Sequence, residues 1–139
     1  MNIEDIKEAV IYCRVSSGKQ KLKAQDFACR SYCDKHKLKI IHSYYEVHSA
    51  YKKDRVFIED LLNSYSNVYL IVNNVDRFSR NIETCNSMIS RMEEKNIILK
   101  SVHEEVDLST PYGKHKFREL VSYAQLESEK ISSRIKNNT

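Results

Sequence analysis

A mostly parallel α/β sheet flanked by helices, followed by one long helix, is the fold class this sequence predicts. Three observations carry the prediction. Short runs rich in β-branched and aromatic residues alternate with stretches of helical spacing up to Val102, the pattern of strand–helix–strand units. Two of those runs, Ala9–Tyr12 and Val68–Val72, are continuous apolar segments of strand length, as expected of strands covered on both faces. From Thr110 onward nothing breaks a helical pattern that continues to about Lys136.

The elements follow in order. After the first strand, Ser16 to Gln20 reads as a polar loop. From Lys21 to Lys37, Leu22, Gln25, Cys29, Tyr32, Cys33 and His36 recur at helical spacing and predict a half-buried helix. Leu38 to Val47 is β-rich and predicts the second strand, and the polar stretch His48 to Asp54 a mobile loop. Val56 to Tyr65 repeats the helical pattern through Phe57, Leu61 and Leu62. Val68 to Val75 is the third strand, Asn81 to Lys95 the third helix and Ile97 to Val102 the fourth strand. Thr110 before Pro111 is a strong start signal, a hydroxyl cap followed by a residue whose missing N–H costs nothing in a first turn. Phe117, Leu120, Val121, Ala124 and Ile131 form the apolar stripe of this last helix, and Lys130, Arg134 and Lys136 lie along its basic face. At about 1.5 Å per residue such a helix outruns a small sheet, so its stripe predicts self-association. The expected organisation is a core over 1–109 and a long helix over 110–139.

Composition narrows the function classes. With 139 residues the chain makes one domain, or one domain with an appendage. The 23 basic and 19 acidic side chains leave a net charge of +4, which permits a nucleic-acid partner without demanding one. No apolar run approaches a membrane span, and Met1 to Lys7 lacks the layout of a signal peptide. Cys13, Cys29, Cys33 and Cys85 show no pairing pattern of a secreted scaffold, so a soluble cytoplasmic protein is expected. Cys29 and Cys33 have no second pair of ligands at zinc spacing and read as buried thiols, and no metal is expected. Tyr12, Tyr32, Tyr65 and Tyr69 fall at apolar-pattern positions and read as core or rim residues rather than base-stacking platforms.

The chemistry concentrates at the carboxyl ends of two strands, where ligands gather in open α/β sheets. Tyr12-Cys13-Arg14-Val15-Ser16-Ser17 ends the first, and Asp76-Arg77-Phe78-Ser79-Arg80 follows the third. A hydroxyl, a carboxylate and three arginines suit attack on a phosphodiester: an oxygen nucleophile, cations for the phosphoryl oxygens and an acid for the leaving group. Alternation along an extended segment puts Arg14 and Ser16 on one side and Ser17 on the other. Arg77 and Arg80, three apart, can share one side of a turn.

In order and spacing, these segments resemble the catalytic domain of serine site-specific recombinases, the resolvase, invertase and large serine integrase group. Tyr12-Cys13-Arg14-Val15-Ser16 matches that family's nucleophile segment, Gln20 and Gln25 two glutamines after it, and Ser49 and Arg55 a loop serine and arginine. Asp76-Arg77-Phe78-Ser79-Arg80 matches its second motif, Ser109-Thr110-Pro111-Tyr112-Gly113-Lys114 the start of its long helix, and Glu127 and Arg134 positions along it. The resemblance implies that Ser16 is the nucleophile, with Arg14, Arg55, Arg77, Arg80, Asp76 and Gln25 in the catalytic set. Asp76 is then either an orienting group or the acid for the departing sugar oxygen. It implies DNA contacts from Gln20, Ser49, Lys130, Arg134 and Lys136, and a dimer built through Phe117, Leu120, Val121, Ala124 and Ile131. The implied reaction cuts and rejoins duplex DNA through a 5′-phosphoserine linkage, in a dimer that passes through a tetramer, with no cofactor and no ATP. Family members usually carry a DNA-reading domain after this helix, so a fragment of a longer recombinase from a bacterial, phage or other mobile-element setting is expected.

The sequence departs from the family pattern at Asn74, where many members place a basic residue, and at Ser128 and Ser133. A relative that kept the fold as a dimerisation or regulatory module without catalysis is the competing reading. Retention of Arg14, Ser16, Asp76, Arg77 and Arg80 counts against it. A nucleotide-binding module is disfavoured by the lack of a glycine-rich loop after the first strand. The His115…Arg118 and Tyr123 pieces imitate a tyrosine recombinase, but all of them fall on one helix.

Overall fold

A continuous apolar run suits a strand covered on both faces, and β1 (Glu8–Val15) is such a strand, with every residue after Glu8 buried. The structure is a computed structural model that describes residues 3–15, 18–47, 54–74, 82–104, 110–120, 122, 123 and 126. A short 3-10 turn, Ile3–Asp5, leads into β1. Then come α1 (Lys19–Lys35), β2 (Lys39–Val47), α2 (Asp54–Ser64), β3 (Val68–Val72), α3 (Ile82–Glu94) and β4 (Ile97–Ser101). A fourth helix, α4, is described over 111–120.

The four strands form one parallel sheet in the order β2-β1-β3-β4. The expected α/β class with a parallel sheet between helices is therefore observed. Because side chains alternate, the sheet has two distinct apolar layers. One joins Val10, Tyr12, Leu70, Val72, Ile97 and Leu99 to Leu61 and Leu62 of α2, Met88, Ile89 and Met92 of α3, and Phe117 of α4. The other is thinner and built from small residues: Ala9, Ile11, Cys13 and Ile71 under Cys29 and Cys33 of α1. On β2 the register slips between Ala9↔Ile40 and Val10↔His42, so Ile41 is the extra residue of a bulge. Ile40 thereby packs with the thin layer and Ile41 with the thick one.

Helix ends differ slightly from expectation, for a local reason. α1 stops at Lys35, not Lys37, because Lys37 takes a left-handed conformation (φ 57°) and Leu38 N–H returns to the Cys33 carbonyl at 2.8 Å. Asn67 and Asn96 hold the same conformation before β3 and β4 (φ 57° and 56°), where an asparagine tolerates what most side chains avoid. β3 ends at Val72 rather than Val75, while β1 runs through Val15 instead of stopping at Tyr12.

α4 starts as its signal predicts, with Thr110 Oγ1 accepting the Gly113 N–H at 3.0 Å. Its apolar stripe begins against the sheet. Phe117 is 0% exposed inside the thick layer, and Leu120 packs partly buried against the same cluster. The first turns of α4 complete the chain's own core, with Lys114 bridging to Glu93 of α3 at 2.6 Å. The exposed apolar groups of this helix lie on its other side: Tyr112, Tyr123 and Leu126. Val121, Ala124, Ile131, Lys130, Arg134 and Lys136 lie outside the described residues.

Candidate active site

At the carboxyl end of β1 the sheet narrows. Pairing with β3 ends at Tyr12↔Val72, whereas pairing with β2 continues to Val15↔Val47. Among the described residues, Cys13 to Val15 therefore pair with a strand on one side only, and a buried backbone N–H or C=O left on the other would be costly. Gln25 fills the gap. Its Oε1 accepts the Arg14 N–H at 3.2 Å, and its Nε2 donates to the Arg14 carbonyl at 2.9 Å. The carboxamide thus presents the donor and acceptor that a neighbouring peptide unit would present. Gln25 itself is 7% exposed, so this pair is dry.

Gln25, expected in the catalytic set, has its amide bonded to the backbone of Arg14 and holds that residue at the strand end. Arg14 is 3% exposed, a cation enclosed at the strand end next to where Ser16 follows. Glu46 on β2 is its register partner, and the Tyr12 hydroxyl donates to Glu46 Oε2 at 3.0 Å. Gln20 is exposed in the first turn of α1, whose cap, Gly18 (φ 93°), makes no side-chain cap bond.

Two further elements deliver chain to the same edge of the sheet. α2 begins at Asp54, which puts the Arg55 backbone in its first turn. Its orientation is held by polar ties: the Tyr44 hydroxyl bonds Asp60, the Tyr65 hydroxyl and His42 Nδ1 share a hydrogen bond of 2.6 Å, and Arg91 of α3 grips Glu59 through both oxygens at 2.6 and 3.0 Å. Burial, and then the Asp60 carboxylate, raise the Tyr44 pKa above the usual phenol range, so its hydroxyl stays a donor. At the end of β3, Asn73 donates to Asn74 at 2.5 Å. The ladder continues by His103 N–H to the Asn73 carbonyl at 3.2 Å. The buried Ser101 hydroxyl lies 3.3 Å from that same carbonyl and also bonds Glu104.

Arg14 and Gln25 are the site residues that the structure joins directly. Ser16, Ser49, Asp76, Arg77 and Arg80 lie outside the described residues. Glu46, Ser101 and Glu104 were missed by sequence reasoning. Ser101 follows an apolar run and reads there as nothing more than a strand end, and Glu46 becomes relevant only through register.

The thiols beneath are chemically quiet. Cys13, Cys29 and Cys33 are all 0% exposed. A hydrogen bond with Cys13, then burial, raises Cys29 far above the usual thiol range, and burial pushes Cys33 up to about 11. Among the described residues no group of three or more histidine, cysteine or carboxylate side chains is arranged to hold a metal ion, and no helix is long and apolar enough to cross a membrane.

Known proteins with this pattern are consistent with one another. The family described as the resolvase N-terminal domain matches residues 9–139. The resolvase of transposon Tn917 from Enterococcus faecalis is 30% identical over 124 residues, covering 88% of this chain and 64% of that protein. A probable DNA-invertase, y4cG, of Sinorhizobium fredii is 31% identical over 68 residues, 49% of this chain and 22% of that protein. Among solved structures, the N-terminal catalytic domain of TP901-1 integrase aligns with a TM-score of 0.66 at 22% identity, covering 88% of this chain and 98% of that one. A resolvase family site-specific recombinase from Streptococcus pneumoniae aligns at 0.65 and 22% identity, covering 94% of each chain. At such identities the structural likeness speaks for the fold. A match that begins at the first buried residue of β1 and runs to Thr139 makes this chain a member of the resolvase N-terminal domain family.

Proposed function

We propose that the chain is the catalytic domain of a site-specific DNA recombinase that cleaves and rejoins duplex DNA through Ser16. The observation that carries the reading is the enclosed Arg14, held by Gln25 at the end of β1, two residues before that serine. In the proposed step Ser16 Oγ attacks a backbone phosphorus. A P–O bond to Ser16 forms, the P–O3′ bond breaks, and the 3′ oxygen leaves with a proton. The DNA 5′ end is then a phosphoserine ester, which conserves the bond for rejoining, so no ATP is needed.

Serine is a weak nucleophile at neutral pH, and this site relies on fixed positive charge at the phosphoryl oxygens. Arg14 supplies it from β1, with Arg55, Arg77 and Arg80 as its proposed partners. Asp76 orients one of these arginines or protonates the leaving oxygen. Gln20 and Ser49 contact the DNA near the cut, while Lys130, Arg134 and Lys136 flank its backbone. The proposed partners are duplex DNA and a second copy of the chain, with a tetramer during strand exchange. Contacts of this kind position DNA without reading its bases. For the dimer, the proposed contacts are those of Val121, Ala124 and Ile131, which continue the stripe that Phe117 and Leu120 begin.

The test is incubation with supercoiled DNA carrying the protein's own site, followed by denaturing gels. The native chain is expected to leave protein attached to a 5′ end. Ser16→Ala abolishes that adduct, and Ser17→Ala retains most of it. Equal loss from both substitutions contradicts the assignment.

A further inference from the structure

α1 carries an exposed stripe that neither the core nor the candidate site uses. Lys23, Phe27, Arg30 and Asp34 follow one another at steps of four, three and four residues, which keeps them within roughly 60° of the helix circumference. All four are exposed, Phe27 at 74%, an unusual position for so large an apolar group on an otherwise polar helix face. Arg30 is already held in place. Its Nε bonds both Asp26 oxygens at 3.0 and 3.1 Å and its Nη2 reaches the Tyr45 hydroxyl at 3.2 Å, yet the side chain remains 49% exposed.

The order of these groups is self-complementary. Lys23 and Asp34 are equidistant from the point between Ala28 and Cys29, and so are Phe27 and Arg30. Two copies of α1 laid antiparallel about a two-fold axis through that point bring Lys23 against the second copy's aspartate and Phe27 against its pre-fixed guanidinium. Each of these contacts then occurs twice. Ala24 and Ser31, both exposed beside Phe27, are small enough to let the helices approach.

We infer that the outer face of α1 is a two-fold interface with a second copy of this chain, distinct from any contact made through α4. The occupant is argued from charge complementarity: a stripe with one cation end, one anion end and a cation–π pair between them fits its own reverse. A phosphate backbone would have no use for Asp34. The face is a single helix and its pairs are solvent-exposed, so the association is weak, salt-sensitive and separate from cleavage chemistry.

The experiment is a charge swap read by molecular mass in solution across a concentration series, at low and high salt. Lys23→Asp and Asp34→Lys should each weaken one association step about tenfold, because each turns two attractive pairs repulsive. The double variant Lys23→Asp/Asp34→Lys should restore it, because the pairs re-form with signs exchanged. Phe27→Ala should weaken the same step, while Tyr123→Ser and Leu126→Ser act on a different one. Thermal melting of each variant checks that α1 is intact. Failure of the double variant to recover, or no step responding to either single variant, overturns the inference. If Lys23→Asp weakens DNA binding and Asp34→Lys strengthens it without a change in mass, the stripe faces DNA instead, and the inference is likewise overturned. Because mass is the readout, a chain that cleaves no DNA still gives a decisive answer.

Discussion

The two faces of the sheet are built differently. Under α2, α3 and α4 lie large side chains, among them Tyr12, Leu70, Met92, Leu99 and Phe117. Between α1 and the sheet the fully buried residues are Ala9, Ile11, Cys13, Cys29, Cys33 and Ile71, with Tyr32 and Tyr69 partly buried at the rim. From the second face comes Gln25 of α1, whose amide bonds the Arg14 backbone. The thick face supplies stability; the thin face carries the clamp. Substitutions on the first should lower melting, and substitutions on the second should reach the site.

The largest expected effect is on the thick face. Phe117→Ala removes a fully buried ring at the joint between α4 and the sheet and should cost about 3–5 kcal/mol of stability, read by chemical denaturation. A loss below about 1 kcal/mol would contradict its place in the thick layer.

Next comes Arg14→Ala, which should slow formation of the covalent adduct by about 3 kcal/mol, or roughly a hundredfold or more, with a smaller change in melting. Melting that collapses in step with cleavage would make Arg14 a structural cation.

Gln25→Ala tests the thin face itself. It strips the partner from two buried backbone groups and should cost about 1–3 kcal/mol in stability. Cleavage should fall as well, through misplacement of Arg14. Gln25→Glu keeps the acceptor and loses the donor, so it should fall between the two. Equal cleavage by all three would separate the clamp from the chemistry.

The smallest effect concerns pH. Cys33 is raised from an ordinary 9.0 to about 11, so between those values the unfolded chain releases a proton that the folded chain keeps. Its contribution is therefore intact below pH 9 and is lost as pH rises toward 11. Cys33→Ala should flatten the fall in stability across that window, and an unchanged slope would mean that another group titrates there.

This contrast was only half legible from residues alone. β1 and β3 were visible as apolar runs because parallel strands are covered on both faces, and the helices because their apolar positions recur at helical spacing. The last residues of β1 were hidden by Arg14, a charged side chain that pattern reasoning places at the surface and that the structure buries. Gln25 was found as a site residue, but its role depends on β3 stopping short, a fact of pairing that no single segment contains. Lys37, Asn67 and Asn96 take conformations usually given to glycine, in a chain with two glycines, so those helix ends carried no composition signal. The packing of Phe117 on the sheet was not legible, because a stripe on a long helix does not say which of its turns rest there.

The central claim is that the carboxyl end of β1 presents Ser16 to DNA, and the most direct measurement is to locate the bond. Trypsin cuts after Arg14 and Lys19, so the covalent protein–DNA product yields the peptide Val15-Ser16-Ser17-Gly18-Lys19 with the nucleotide attached after nuclease trimming. Fragment-ion mass spectrometry of that peptide should place the phosphate on Ser16. A phosphate on Ser17, or an adduct on any peptide other than this one, would contradict the account.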